Sequence, residues 1–88
     1  MKVTFKKRFL RDLKGLPTAI RQRVEVLVFE ELPEIDNIQQ LSGLKKIQGH
    51  HTYYRLRVGD YRIGMSIEQD QIILYRVLHR KDIYRNFP

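Results

Sequence analysis

The sequence predicts an α+β domain in which a helical hairpin packs on one face of a mainly antiparallel, four-stranded sheet. Two runs of apolar residues at helical spacing occupy the first part of the 88-residue chain. Three runs that read as strands occupy the second part, and a short alternating run precedes the first helix. The expected order is therefore β-α-α-β-β-β. A chain of this length buries one modest core, so we expect a single domain over residues 1–88.

The N-terminal half is predicted to form a strand and two helices. Residues 2–5 alternate between polar and apolar side chains, which is typical of a strand. From Lys7 the apolar residues are three or four positions apart, and this helix is expected to end before Pro17. Pro17 is then expected in the first turn of a second helix, whose apolar stripe ends at Pro33. Residues 34–43 have no sustained period and are predicted to form a loop.

The C-terminal half is predicted to form a β-hairpin and one further strand. Residues 45–47 are read as a brief strand or turn. The hairpin closes at residues 59–60, where a glycine supplies the positive φ that a two-residue turn needs. Residues 71–78 include an apolar run at consecutive positions, so they are expected to form a central strand with both faces covered. Residues 79–88 are read as a polar tail with about one helical turn.

Three arginines fall on one face of the predicted hairpin. Strand alternation places Arg55, Arg57 and Arg62 opposite the apolar face. A two-residue loop puts Arg57 directly across from Arg62, and like charges in that position destabilise a sheet. A bound polyanion explains this arrangement more readily than folding does. The residues predicted for the core on the other face are Leu56, Ile63, Met65 and Leu74.

The charge of the chain also argues for an anionic partner, although a solvated surface is the plain alternative. The formal net charge is +7 and the pI is about 10.0. Residues 2–23 hold eight lysines and arginines and one acidic residue, whereas residues 25–36 hold five acidic residues and no basic one. Basic residues predominate again from Leu44 onward.

Several other kinds of site are disfavoured. His50 and His51 point different ways on a strand or turn, and no third ligand lies at a recognisable spacing, so no metal site is expected. Neither a nucleophilic triad nor a phosphate loop is visible. The absence of cysteine fits a reducing cytosol. No apolar run has the length of a signal peptide or membrane span, so a soluble, cytoplasmic protein without membrane contact is expected.

The C-terminal tail adds a second group of candidate site residues. If the last strand ends beside the second hairpin strand, the tail begins next to Arg62. The arginines would then clamp a phosphate bidentately. Tyr84 would stack on a base or transfer a proton, and packing on the sheet as an ordinary anchor is the alternative. Arg76, inside an apolar run, is expected to pair with a carboxylate. The tail residues concerned are Arg80, Lys81, Tyr84 and Arg85.

Two segments together resemble the RelE/ParE superfamily of bacterial toxins, and its RelE branch most closely. They are YRLRVGDYRI at residues 54–63 and LYRVLHRKDIY at residues 74–84. The resemblance covers nearly the whole chain and implies the toxin of a type II toxin–antitoxin system. Such a toxin is a ribosome-dependent endoribonuclease that cuts messenger RNA in the A site by attack of a 2′-hydroxyl on the scissile phosphate, and thereby inhibits translation. It needs no cofactor.

The resemblance also implies individual site residues. The catalytic residues carried over by position are Arg55, Arg57, Arg62, Arg80 and Tyr84. Some members have lysines at the first two positions, and arginine is a poor general base, so His79 is a further candidate as proton donor. The residues expected to contact RNA or the ribosome are Lys45, Lys46, Lys81 and Arg85. Gly64 stands where members have a bulkier residue, and Leu78 where glycine is frequent.

The implied partners are the ribosome with its messenger RNA and a cognate antitoxin, acidic and folding on binding. Operator DNA is expected to be contacted only through the antitoxin complex. Two alternatives remain open from the sequence. One is a ParE-like gyrase poison, and the other is an inactive basic module that binds an antitoxin or nucleic acid. The combination of Arg62, Arg80 and Tyr84 favours the ribonuclease.

Overall fold

In the computed structural model, which describes residues 1–88, a helical hairpin covers one face of a five-stranded sheet. The strands are β1 (Lys2–Phe5), β2 (Leu44–Lys46), β3 (Tyr53–Val58), β4 (Tyr61–Glu68) and β5 (Gln71–His79). The helices are α1 (Lys7–Lys14), α2 (Thr18–Val26) and α3 (Arg80–Asn86). The predicted α+β class, with a helical hairpin packed on a mainly antiparallel sheet, is confirmed.

The sheet has the order β1-β5-β4-β3-β2. The first strand runs parallel to β5, and all other neighbours are antiparallel. The prediction of four strands is one too few, because the sequence does not show whether residues 45–47 form a strand or a turn. Leu44–Lys46 forms a true edge strand, with Leu44 opposite Leu56 and Lys45 opposite Arg55. Three residues are too short a run for alternation to identify a strand.

Both helices of the hairpin form where the sequence predicts them. Gly15 ends α1, and Pro17 lies at the N-cap of α2, one position before the first turn. After Val26 the second helix continues as a wide π-helical turn over Leu27–Glu31 and a tight turn over Leu32–Glu34. The segment therefore ends at Glu34, one residue past the predicted end at Pro33. Pro33 lies in the first turn of the tight segment, where the missing N–H of proline is tolerated.

The main core lies between the helical hairpin and the sheet. Phe9 of α1 and Val24 of α2 are fully buried against it. The four residues predicted for the core from the strands are all buried, with exposures of 2% or less: Leu56, Ile63, Met65 and Leu74. None of the helices has the length and apolar content needed to cross a membrane.

A bulge interrupts the pairing of β5 with β4. Gly64 lies opposite Arg76 and Met65 opposite Leu74, so Tyr75 has no partner on β4. The extra residue shifts the alternation, and Val77 rather than Arg76 faces the core. Since β5 lies between β1 and β4 and its two faces meet two different apolar clusters, the prediction of a covered, central strand is confirmed.

The tail has a longer helix and is more buried than predicted. The helix α3 has seven residues, about two turns, and packs on the sheet face opposite the hairpin. Ile83 and Phe87 are buried there with Ile47. A Cβ at Gly64 would lie 2.5 Å from Cγ of Phe87, so the glycine provides the space that this ring occupies.

Candidate active site

The sheet face opposite the helical hairpin carries a recess of about 330 Å³ that we call the arginine cleft. Its walls come from the loop before β2, from three strands and from α3. The lining residues that matter are Gly43, Lys45, Arg55, Arg57, Arg62 and Tyr84. Four of the five predicted catalytic residues therefore lie together, since Arg80 alone is absent from this set.

The register of the sheet places four cations on this surface. Arg57 lies directly across from Arg62, as predicted, and Lys45 lies across from Arg55. The chain has two side-chain ion pairs, Arg76 with Asp12 and Arg85 with Asp82, and neither involves these four residues. Two like-charge pairs on neighbouring strands, with no carboxylate to neutralise them, lower the stability of the sheet. The arginine cleft is therefore strongly electropositive and able to bind an anion.

Tyr84 covers Arg55. The guanidinium carbon of Arg55 lies 4.5 Å from the centroid of the tyrosine ring, within the range of a cation–π contact. The Nε atom of Arg55 is buried and makes no hydrogen bond within the chain. Tyr84 itself is 60% exposed. Its ring packs on the arginine rather than on the apolar sheet surface, and most of the side chain remains accessible to a substrate.

Arg62 is fixed at the end of the hairpin. Its Nη1 atom donates to the carbonyl oxygens of Gly59 and Tyr61, both at 2.9 Å. The turn itself has the predicted two-residue form, with φ of +59° at Gly59. Nη2 and Nε of Arg62 make no hydrogen bond within the chain. They remain available to donate to a phosphate.

Three contacts hold α3 and thereby position Tyr84. The backbone N–H of Arg80 donates to the carbonyl of Asp60, at 2.8 Å, which ties the first residue of the helix to the hairpin turn. Nδ1 of His79 accepts from the N–H of Lys81, at 3.1 Å, and caps the helix. At the other end, Phe87 packs against Gly64. The helix therefore projects Tyr84 over the arginine cleft from two fixed ends.

Comparisons with known proteins identify the family of the chain. The model of the family described as the ParE toxin of type II toxin–antitoxin systems matches residues 3–84. The chain belongs to this toxin family. It is 51% identical to toxin RelE3 of Methanocaldococcus jannaschii over the full length of both proteins. The predicted membership of the RelE/ParE superfamily is confirmed.

Solved structures give the same assignment of the toxin's fold. A chain in the RelB-RelE antitoxin–toxin complex from Methanococcus jannaschii is 47% identical and superposes with a TM-score of 0.80, over 97% of this toxin and 99% of that chain. A chain in the RelBE2 complex from Mycobacterium tuberculosis is 27% identical, with a TM-score of 0.71 over 90% and 96% of the two chains. The isolated RelE toxin of E. coli, at 16% identity, shares the fold with a TM-score of 0.65, over 97% and 92%.

The structure separates the other predicted site residues of the toxin from the arginine cleft. His79 lies opposite Tyr61, its ring centroid 5.4 Å away, and both face the helical hairpin, so His79 does not reach the cleft as a proton donor. Arg80 is exposed at the start of α3. Of the residues expected to contact RNA or the ribosome, Lys45 alone lines the cleft, and the exposed side chains outside it are Lys46, Lys81 and Arg85.

Arg76 has the structural role predicted for it. Its Nε donates to Oδ2 of Asp12 at 2.7 Å, and its Nη2 donates to Oδ1 at 3.2 Å. The same carboxylate accepts from the N–H of Val77, beside the bulge. The hydrogen bond with Asp12 raises the pKa of Arg76 above its usual value, against the effect of burial.

No group of three or more histidine, aspartate or glutamate side chains is arranged to hold a metal ion.

Gly43 shapes the arginine cleft, although the sequence does not predict this role. Its φ of +82° suits glycine, and its carbonyl accepts from the N–H of Arg57 at 3.1 Å. A Cβ at this position would lie 3.3 Å from Cβ of Arg57. The glycine therefore lets the loop run close beside Arg57 and close one side of the arginine cleft. The only signal in the sequence is an isolated glycine in a polar loop.

Proposed function

We propose that this toxin is an endoribonuclease that cleaves messenger RNA in the ribosomal A site and so inhibits translation. The observation that carries the proposal is the arginine cleft, where four cations without an acidic partner meet one accessible tyrosine. Guanidinium groups match the geometry of phosphate oxygens. The cleft therefore holds the scissile phosphate.

The chemistry requires charge stabilisation more than a nucleophile from the protein. The 2′-oxygen of the nucleotide forms a bond to phosphorus, and the bond from phosphorus to the 5′-oxygen breaks. The products are a 2′,3′-cyclic phosphate and a free 5′-hydroxyl. One proton leaves the 2′-hydroxyl, and one is taken up by the leaving 5′-oxygen. The phosphate gains negative charge in the transition state, where oriented donors are most effective.

The residues of the arginine cleft divide these tasks. Arg62 is held at the turn with two nitrogens free, so it provides an oriented donor for the developing charge. Arg57, directly across, adds a second guanidinium on the same phosphate. Arginine stays protonated throughout and moves no proton. The hydroxyl of Tyr84 transfers a proton, and the ring of Tyr84 holds Arg55 in place.

Dependence on the ribosome follows from what the cleft recognises. Its cations contact phosphate, which is identical at every nucleotide and so carries no sequence information. The ribosome supplies a positioned codon, and the toxin supplies the charge around its phosphate. Such positioning by a partner lowers the barrier in the same way as positioning within one active site.

Induction of the toxin without its neighbouring gene tests the proposal. We expect growth arrest, with cleavage ends confined to translated reading frames and absent from the same message lacking a start codon. Equal cleavage of naked RNA by the purified toxin would contradict the dependence on the ribosome. Arrest with broken DNA and intact messenger RNA would support a gyrase poison instead.

The proposed protein partner is a cognate antitoxin. Relatives at 47% and 27% identity have been solved as RelB-RelE and RelBE2 antitoxin–toxin complexes. The net charge of +7 favours an acidic segment that folds on binding. We infer that this segment covers the arginine cleft, and that operator DNA is contacted only by the resulting complex.

A further inference from the structure

A second recess, of about 460 Å³, lies on the same sheet face, on the other side of the C-terminal end of α3. We call it the tyrosine groove. Its basic side is the start of α1 and its aromatic side is formed by the sheet and the end of the chain. The side chains concerned are Lys6, Lys7, Arg8, Tyr53, Tyr75 and Phe87. None of them belongs to the arginine cleft.

The aromatic side of the tyrosine groove is a packed cluster of rings. The centroid of Tyr53 lies 5.8 Å from that of Tyr75 and 5.4 Å from that of Phe87. Tyr75 lies 5.5 Å from Phe87. Phe87 is buried, whereas both tyrosines are partly exposed. The rings therefore hold one another in place and present two tyrosine side chains to the groove.

The basic side has a charge that folding does not explain. Lys7 and Arg8 occupy the first turn of α1, which contains no acidic residue and has no side-chain cap. Cations at this end of a helix are disfavoured by its dipole. None of Lys6, Lys7 and Arg8 forms an ion pair. The Nζ atom of Lys6 lies 5.5 Å from the centroid of Tyr75, so a cation already borders the aromatic surface.

Cations beside exposed aromatic rings are the combination that binds single-stranded nucleic acid, since phosphates contact the former and bases stack on the latter. We propose that the tyrosine groove binds one nucleotide of the RNA strand whose scissile phosphate lies in the arginine cleft. This inference rests on the proposed function. Tyr84, on α3, lines the cleft, and Phe87, directly after α3, lines the groove. A strand that crosses the end of α3 contacts both.

Nuclear magnetic resonance titration tests the chemistry of the site. We expect 5′-AMP to shift the ring signals of Tyr53 and Tyr75 and the amide signals of residues 6–8. Inorganic phosphate is expected to shift the amide signals alone. Unchanged tyrosine signals at saturating 5′-AMP would overturn the stacking, and with it the proposal.

Binding of a six-nucleotide 2′-O-methyl RNA, which cannot be cleaved, tests the cations. The double variant Lys6→Ala/Lys7→Ala is compared with Lys2→Ala/Lys14→Ala, which loses the same charge from exposed positions outside both recesses. Lys6→Ala/Lys7→Ala loses two phosphate contacts, so its binding is expected to be roughly tenfold weaker at about 0.1 M salt. The slope of log binding constant against log salt concentration is expected to become shallower by about 1.4. Equal effects of the two double variants would refute the proposal.

The two proposals fail in different ways. If the toxin does not cleave RNA on the ribosome, the groove still predicts tyrosine shifts with 5′-AMP and the specific loss in Lys6→Ala/Lys7→Ala. If cleavage is confirmed but that variant binds RNA and cleaves like Lys2→Ala/Lys14→Ala, the groove is refuted and the proposed function stands. Circular dichroism and thermal unfolding establish that both double variants are folded.

Discussion

At the scale of single residues, Arg62 combines a structural contact with the proposed electrostatic role. Its Nη1 atom binds two carbonyls of the hairpin turn, and the rest of the guanidinium group faces the arginine cleft. The turn contacts are at or near the surface, where water replaces a lost partner. Their loss is therefore expected to cost about 1 kcal/mol of unfolding free energy.

We predict that Arg62→Ala folds and loses activity. Removing an oriented stabiliser of transition-state charge lowers the rate by about 10²–10³-fold. Arg62→Lys keeps the charge without the planar guanidinium group. Its cleavage rate is expected to lie between those of the unmodified toxin and Arg62→Ala. The measurement is single-turnover cleavage of ribosome-bound message, with Arg11→Ala on the surface of α1 as the charge-matched control. An Arg62→Ala protein that is folded and cleaves at the normal rate would contradict the phosphate clamp.

Tyr84 carries a separate prediction, because it alone among the predicted proton donors reaches the cleft. Tyr84→Phe keeps the ring on Arg55 and removes the hydroxyl. We expect its cleavage rate to fall by about 10²-fold, the usual lower bound for loss of a general acid or base. Tyr84→Ala also frees Arg55 and is expected to fall further. Full activity of Tyr84→Phe with loss in Tyr84→Ala would assign the ring to base stacking instead.

At the scale of elements, β5 shows where sequence patterns stop being informative. Alternation counted from Leu74, which faces the core, would place His79 on the face of the arginine cleft. The bulge at Tyr75 reverses this, so Val77 faces the core and His79 faces the helical hairpin. The bulge is secured by Asp12, 65 positions before Val77, through a contact that no local pattern reveals.

The helices and the main hairpin were predictable because their signals are local. Helical spacing, proline and the glycine at residue 59 each act within a few positions. The strand β2 has three residues, and its identity depends on pairing with β3 across a loop. The buried end of α3 depends on the space above Gly64, which is also a property of the folded sheet. Such contacts decide structure without leaving a period in the sequence.

The packing of Phe87 on Gly64 leads to a prediction about α3. In Gly64→Ala the new Cβ would overlap the phenyl ring, so the ring must leave and the end of the helix loosens. We expect faster hydrogen exchange in α3, a retained sheet and reduced cleavage, because Tyr84 is no longer held over the cleft. Adding Phe87→Leu, which gives a smaller and more flexible side chain, is expected to restore part of the exchange protection of α3 and part of the cleavage activity. Unchanged exchange and cleavage in Gly64→Ala would show that α3 does not depend on this contact.

At the scale of the whole molecule, the two recesses share one sheet face and are separated by α3. The tyrosine groove joins the start of α1 to the end of the chain, about 80 positions apart in the sequence. The basic character of residues 2–23 was visible from the sequence, but its meeting with Tyr53 and Tyr75 was not. The net charge of +7 is thus partly gathered around a surface suited to a polyanion.

We predict that the antitoxin acts on the molecule as a whole, because one acidic segment has to neutralise charge over a surface rather than at one residue. We expect the product of the adjacent gene to bind the toxin, restore growth on co-expression and exclude the 2′-O-methyl RNA from the purified complex. Since opposite charges drive the association, its on-rate is expected to fall steeply as salt rises. Anisotropy of labelled RNA with increasing antitoxin measures the competition. If the product of the adjacent gene fails to bind, or binds without restoring growth, it is not the antitoxin. If RNA and antitoxin bind at the same time, the antitoxin binds another face of the toxin.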